Sequence, residues 1–288
     1  MPQGRIIRSI SGFYDVDNGQ EVLRCRAKGS FRKKNITPLV GDQVEYSKEG
    51  WVEELLPRSN RLIRPQVANV DQAVIVFAAA YPEPNWLLME RFLVMVAQQK
   101  IQPLICINKW DQIQDRKETQ DAAVSYEKAG FRVIRTCTRT QEGAEELRQA
   151  LSGRLSVFAG PSGVGKSSLL NLLGLTQETG DLSEKIQRGK NTTRCAELMR
   201  LPGGDGYVVD TPGFTSLRLS EIQPEELENF YPDFAPYLKH CYYQGCSHVA
   251  EEDCGVREAF LAGKIEKIRY EGYCAIWKEL KEMQESVR

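Results

Sequence analysis

Eight consecutive residues, Gly160-Pro161-Ser162-Gly163-Val164-Gly165-Lys166-Ser167, match the phosphate-binding pattern G-x-x-x-x-G-K-[ST]. The glycines allow backbone N–H groups to turn inward around phosphate oxygens, and a helix N-terminus behind the loop adds partial positive charge. Lys166 would reach the β- and γ-phosphates, and the Ser167 hydroxyl would hold Mg²⁺. An apolar run at 155–159 reads as a strand, and Ser168 begins a run that reads as a helix. That strand–loop–helix context is what the pattern requires.

A second motif, Asn108-Lys109-Trp110-Asp111, ends an apolar run and therefore falls where parallel sheets bind ligands. Its chemistry suits guanine: the Asp111 carboxylate can accept from both the ring N1–H and the exocyclic amine. Asn108 can bond the base edge, and the Lys109 stem can lie along its plane. Thr136-Cys137-Thr138 then falls where a second guanine-contacting loop belongs. Downstream, Asp210-Thr211-Pro212-Gly213 closes another apolar run. Asp210 would hold Mg²⁺ through water, and the Gly213 amide would face the γ-phosphate. Between the two phosphate motifs lies a loop with Asn191, Thr192 and Thr193, one of whose threonines is placed to complete the Mg²⁺ shell. The usual order puts base recognition after the aspartate–glycine motif; here it precedes the P-loop, so a single GTP site implies circular permutation.

Near the C-terminus, Cys241, Cys246, His248 and Cys254 form C-x4-C-x-H-x5-C. Four soft ligands at this spacing suit a closed, tetrahedral, structural Zn²⁺ site. The alternatives are unliganded buried thiols or a site built with His240 instead. Cys25, Cys106, Cys195 and Cys274 read as core thiols.

The elements that position these groups are legible in outline. Residues 1–66 show short alternating segments broken by turn signals, which suits a small β-barrel of the OB type. They hold 12 Lys/Arg against 8 Asp/Glu. Arg24, Arg26, Lys28, Arg32, Lys33 and Lys34, with Phe13, Tyr14 and Phe31, suggest a nucleic-acid surface or, alternatively, a solvated loop. From about residue 68 strands alternate with helices, as in an α/β domain. Residues 195–201 and 207–210 read as a hairpin, and 256–281 as one or two amphipathic helices.

The 288-residue chain carries a net charge of −1, which excludes a globally electrostatic nucleic-acid binder. The N-terminus has no signal-peptide pattern, and the longest apolar run is too short to span a bilayer. Cysteines in such a chain suit metal binding or buried thiols rather than disulfides.

Taken together, NKxD, then GPSGVGKS, then the threonine loop, then DTPG, then C-x4-C-x-H-x5-C resemble the ribosome small subunit-dependent GTPase A (RsgA) family across essentially the whole length. The resemblance implies an OB-fold RNA-binding domain at 1–66, a circularly permuted α/β P-loop GTPase domain at 67–230, and a mostly helical zinc-binding domain at 231–288. It implies GTP and GDP contacts from Asn108, Lys109, Trp110, Asp111, Thr136, Cys137, Gly160, Pro161, Ser162, Gly163, Val164, Gly165, Lys166, Ser167, Ser168, Thr192 and Thr193. It also implies a cytoplasmic, monomeric assembly factor that binds the small ribosomal subunit and its rRNA, and whose slow GTP hydrolysis the subunit accelerates. The barrel is expected to join on the base-recognition side. Two departures bear on catalysis, for which Lys166, Asp210, Gly213 and Asn191 are the candidates. Asn191 stands where the family commonly has His, and it cannot act as a general base. Phe214 stands where many GTPases have a water-positioning Gln, a substitution the family shares. A nucleotide-gated RNA-binding module with little turnover is the competing reading, and a P-loop ATPase or kinase with an incidental NKxD is a third.

Overall fold

The computed structural model describes residues 1–63, 65–113, 117–175, 196–210, 219 and 222–286. The chain divides into two compact units, each assembled from separated stretches.

The first unit comprises Met1–Ala73, Ala144–Phe158 and Lys166–Ser216. Its β1 (Gln3–Ile10), β2 (Phe13–Asp17), β3 (Val22–Ala27), β4 (Gln43–Tyr46) and β5 (Trp51–Leu55) follow the alternating pattern expected of half-buried strands. Pairings β1–β2, β2–β3, β3–β5, β5–β4 and β4–β1 close a five-stranded barrel in which β3–β5 is the parallel pair. A register shift between Ile6 and Arg8 bends β1, letting one strand serve both neighbours. Ile6, Val16, Cys25, Val44 and Val52 fill the interior. Tyr14 and Phe31, offered above as part of a nucleic-acid surface, belong to this core instead. A short helix α1 (Gly29–Lys33) links β3 to β4.

β1 also pairs with a strand far along the chain, Arg8 opposite Glu197. After α1 and the first five strands the chain continues through β6 (Gln72–Ala78), α2 (Trp86–Gln98), β7 (Gln102–Asn108), α3 (Lys117–Lys128), β8 (Val133–Arg135), α4 (Ala144–Leu151), β9 (Leu155–Ala159), α5 (Lys166–Leu172), β10 (Glu197–Arg200) and β11 (Tyr207–Asp210). In the first unit the strand order is β2-β3-β5-β4-β1-β10-β11-β9, with β10–β11 an antiparallel hairpin and β11–β9 parallel. The Tyr207 hydroxyl donates to Asp17 Oδ2 at 2.9 Å, and burial followed by that bond pushes its pKa up to about 12. Within this unit the barrel is therefore continuous with the hairpin that leads into Asp210. Strand β1 outlasts the barrel and leaves an edge that β10 completes.

The second unit comprises Val74–Gly143, Ala159–Gly165 and Leu217–Arg288. Strand β6 is buried along its whole length, as its unbroken apolar run requires, and β7–β8 is a parallel pair. The α2 helix starts at Asn85, whose side chain accepts from the Leu88 N–H at 2.9 Å. The C-terminal part holds α6 (Ala235–Leu238), α7 (Gly255–Leu261) and α8 (Lys267–Ser286), preceded by a 3₁₀ segment at Pro224–Phe230. Two helices thus cover the stretch read as one or two amphipathic helices. Arg269, Tyr273, Ile276 and Leu280 form the buried stripe of α8, while Cys274 is only half-buried rather than core. Among the described residues no helix is long and apolar enough to cross a membrane.

Candidate guanine-nucleotide site and metal centre

Strand β7 ends at Asn108, which is 1% exposed. The amide donates from Nδ2 to the Val164 carbonyl at 2.8 Å, and its Oδ1 accepts from the buried Thr136 hydroxyl at 3.1 Å. Lys109 then adopts a left-handed conformation, φ 59°, which turns the chain into a 3₁₀ segment at Trp110–Gln112. Its ammonium donates to the Tyr81 and Gly163 carbonyls, each at 2.7 Å. Base-recognition motif and phosphate loop are thus tied side chain to backbone. Asn108, expected at the base edge, is first of all the latch between them. The Arg135 guanidinium lies 5.3 Å from the Trp110 ring centroid.

Asp111 is the middle residue of this turn, and its side chain is partly exposed. Its Oδ1 accepts from the Cys137 thiol at 3.1 Å, and Oδ2 lies 3.0 Å from Arg139 Nη2. Thr136 and Cys137, 28 and 26 residues from their partners Asn108 and Asp111, therefore stand beside the NKxD motif as expected.

The phosphate loop 160–165 runs from β9 to α5, with Lys166, Ser167 and Ser168 opening the helix. Gly160 (φ +131°) has no room for a Cβ, which would lie 2.1 Å from the Val76 carbonyl oxygen. At Gly165 (φ +97°) a Cβ would lie 2.3 Å from Asn108 Nδ2. Glycine at these two positions is required by backbone conformation and by the close approach of neighbouring strands. Pro161, Ser162, Gly163 and Val164 form the crest, of which Val164 alone is buried. Burial lowers the Lys166 ammonium pKa, and an anion beside it would act in the opposite direction. Ser167 is exposed. Of the remaining expected residues, Asn191, Thr192, Thr193 and Gly213 lie outside the described residues, as does the Asp210 side chain.

Cys241, Cys246, His248 and Cys254 come together with their ligand atoms all within 4.8 Å of one another. His248 Nδ1 lies 3.3 Å from Cys254 Sγ and 3.5 Å from Cys241 Sγ, and those two sulfurs are 4.0 Å apart. A tetrahedron with Zn–S of about 2.3 Å and Zn–N of about 2.0–2.1 Å has edges of about 3.5–3.8 Å, so the set fits zinc. His248 Nε2 lies 2.6 Å from Glu228 Oε2, which places the ring proton on Nε2 and leaves Nδ1 for a metal. Burial pushes the Cys246 thiol up to about 12 and raises Cys254 too. His240 stays exposed and outside the cluster. Glu228 carries no local motif that would mark it.

These features define a class: a P-loop guanine-nucleotide protein with its motifs in permuted order, an OB-like barrel, and a Cys₃His centre. A family model described as RsgA GTPase matches residues 55–220, and one described as RsgA N-terminal domain matches 3–53. The small ribosomal subunit biogenesis GTPase RsgA of Caldanaerobacter subterraneus subsp. tengcongensis is 47% identical, covering 98% of this chain and 97% of that one. The same-named protein of a Geobacillus species is 46% identical, covering 98% of each. The crystal structure of YjeQ from Thermotoga maritima is similar with TM-score 0.84 at 35% identity, covering 97% of this chain and 98% of that one. That of YloQ, a circularly permuted GTPase, gives TM-score 0.82 at 40% identity, covering 98% and 96%. The chain belongs to the RsgA GTPase family.

Proposed function

We propose that this GTPase acts in late maturation of the small ribosomal subunit and that the subunit stimulates its GTP hydrolysis. The observation that carries the reading is the Asn108 latch, which joins the guanine motif to the phosphate loop in a single site. The relatives' names supply the process.

In this reading Asp111 reads the base, Thr136 and Cys137 flank it, and Gly160 to Ser168 cradle the phosphates with Lys166 on the β- and γ-oxygens. Ser167, Asp210 and one of Thr192 and Thr193 hold Mg²⁺, which neutralises charge on the transferred phosphate. The Gly213 amide faces the γ-phosphate, and Asn191 orients water without acting as a base. The Cys₃His centre holds one structural Zn²⁺. Residues 1–66 form an RNA-binding barrel domain, 67–230 the GTPase domain and 231–288 the zinc domain of a cytoplasmic monomer. Support for RNA binding comes from Phe13, whose ring has Arg26 at 4.4 Å and Arg24 at 5.3 Å. Trp51, 41% exposed, stands opposite Arg26 on the next strand. Aromatics interleaved with guanidinium groups suit base stacking beside phosphates.

The test is GTP turnover by the full chain, alone and with stoichiometric purified small subunits. Strong stimulation is expected. Tight guanine binding without stimulated turnover would instead identify a nucleotide-gated RNA binder, a reading that Asn191 and Phe214 favour.

A further inference from the structure

Arg139 carries no motif, yet it meets the base-reading carboxylate. Its Nη2 lies 3.0 Å from Asp111 Oδ2, while the Cys137 thiol donates to Oδ1 at 3.1 Å. The turn bearing both is fastened by its backbone to the end of β7. The Thr136 N–H donates to the Ile107 carbonyl, the Trp110 N–H to the Thr136 carbonyl, and the Cys137 N–H to the Glu142 carbonyl. Cys137 is 1% exposed, so its donor is fixed. The Arg139 side chain is 78% exposed and Asp111's is 20% exposed, so Arg139 can swing away without opening the fold.

A guanidinium presents a planar edge of N–H donors. Guanine presents the same kind of edge through N1–H and its exocyclic amine. We propose that Arg139 is an internal competitor for the guanine-reading carboxylate. It occupies Asp111 before nucleotide arrives and must leave for the base to be read. Cys137 is the positioning residue that keeps the carboxylate aimed outward after Arg139 departs. The proposal rests on the reading of Asp111 as the base-recognition residue.

An exposed pair of this kind favours its closed form by a factor of about one to five. The apparent dissociation constant is the intrinsic one divided by the open fraction. Removing the competitor should therefore tighten guanine-nucleotide binding about two- to six-fold, chiefly through faster association. Salt screens the pair, so the advantage of the variant should shrink as ionic strength rises.

The experiment compares the full-length protein with Arg139→Gln in stopped-flow and equilibrium binding of N-methylanthraniloyl-GDP at low and high salt, with Asp111→Asn measured alongside. Tighter and faster binding by R139Q, converging with wild type at high salt, is the expected result. Equal or weaker binding by R139Q, with D111N losing guanine preference, overturns the competitor while leaving the base site intact. Unchanged guanine preference in D111N overturns the base-site reading itself. For Cys137, the Ser variant keeps a donor and should retain discrimination between guanine and adenine nucleotides, whereas the Ala variant should lose part of it. Equal discrimination in the two would remove Cys137 from the scheme.

Discussion

Replacing Arg269 with methionine should destabilise the protein in a strongly pH-dependent way. Arg269 lies in the buried stripe of α8 and is 0% exposed. Nη1 meets Glu90 Oε2 at 2.5 Å, Nη2 meets Asp233 Oδ1 at 2.8 Å, and Nε meets Asp233 Oδ2 at 3.2 Å. The guanidinium also lies over the rings of Tyr231 and Phe131, at 4.3 and 4.8 Å. Burial works against its charge, but Glu90 and then Asp233 outweigh that and hold it protonated. Glu90, itself 0% exposed, is raised above 4.5 by burial, with Arg269 pulling the other way. Methionine fills much of the volume but removes that pull, leaving a buried carboxylate without its cation.

Breaking a buried pair from one side costs about 3–5 kcal/mol. At about 2–4 °C per kcal/mol for 150–250 residues, the melting temperature should fall by about 6–20 °C at pH 8. The loss should be much smaller at pH 5. Glu90 has a folded-state pKa above its unfolded value, and methionine raises it further. A group raised in this way stabilises the fold below its unfolded pKa, and that contribution disappears as pH climbs through the folded value. Between those two values the variant should lose up to about 1.4 kcal/mol per pH unit. Thermal and urea unfolding followed by tryptophan fluorescence at pH 5, 6.5 and 8 would measure this, with Glu90→Gln added to Arg269→Met to remove the stranded charge. A loss of equal size at pH 5 and pH 8, or no recovery in the double variant, would refute the reasoning.

Gly165→Ala forces a side chain into a left-handed backbone, at about 1–2 kcal/mol, and displaces the Asn108 amide from Val164, at about 0.5–1.5 kcal/mol. Nucleotide affinity should drop about 10- to 300-fold by equilibrium titration, with ordinary affinity counting against the latch. Glu228→Gln removes the carboxylate that fixes the His248 tautomer, so zinc should be held about 10- to 100-fold more weakly in competition with a chromogenic chelator. An unchanged competition curve would free Glu228 of that role.

The nucleotide and metal motifs were legible because each depends on local spacing. A glycine-rich turn between a strand and a helix, or four soft ligands in fourteen residues, needs no distant partner to be recognised. Arg269 left a faint signal, a charge placed at a stripe position with Tyr273, Ile276 and Leu280 at +4, +7 and +11, where a solvated helix face would carry it outside. Glu228 and Arg139 left none, because their partners lie 20 and 28 residues away in folded turns. Tyr14 and Phe31 misled for a related reason: an aromatic beside basic residues looks alike whether its ring points into a barrel or away from it.

The amino-acid order alone determined that a phosphate loop, a guanine motif and a Cys₃His cluster exist, that the motifs are permuted, and that a barrel precedes them. Those are properties of backbone conformation and ligand type along a few residues. Only the tertiary structure decided that β1 completes its edge with β10, that Asn108 latches the phosphate loop, and that Arg139 lies on Asp111. Each of these is a pairing of donors and acceptors from distant stretches, chosen by which groups the packed chain brings within about 3 Å of one another.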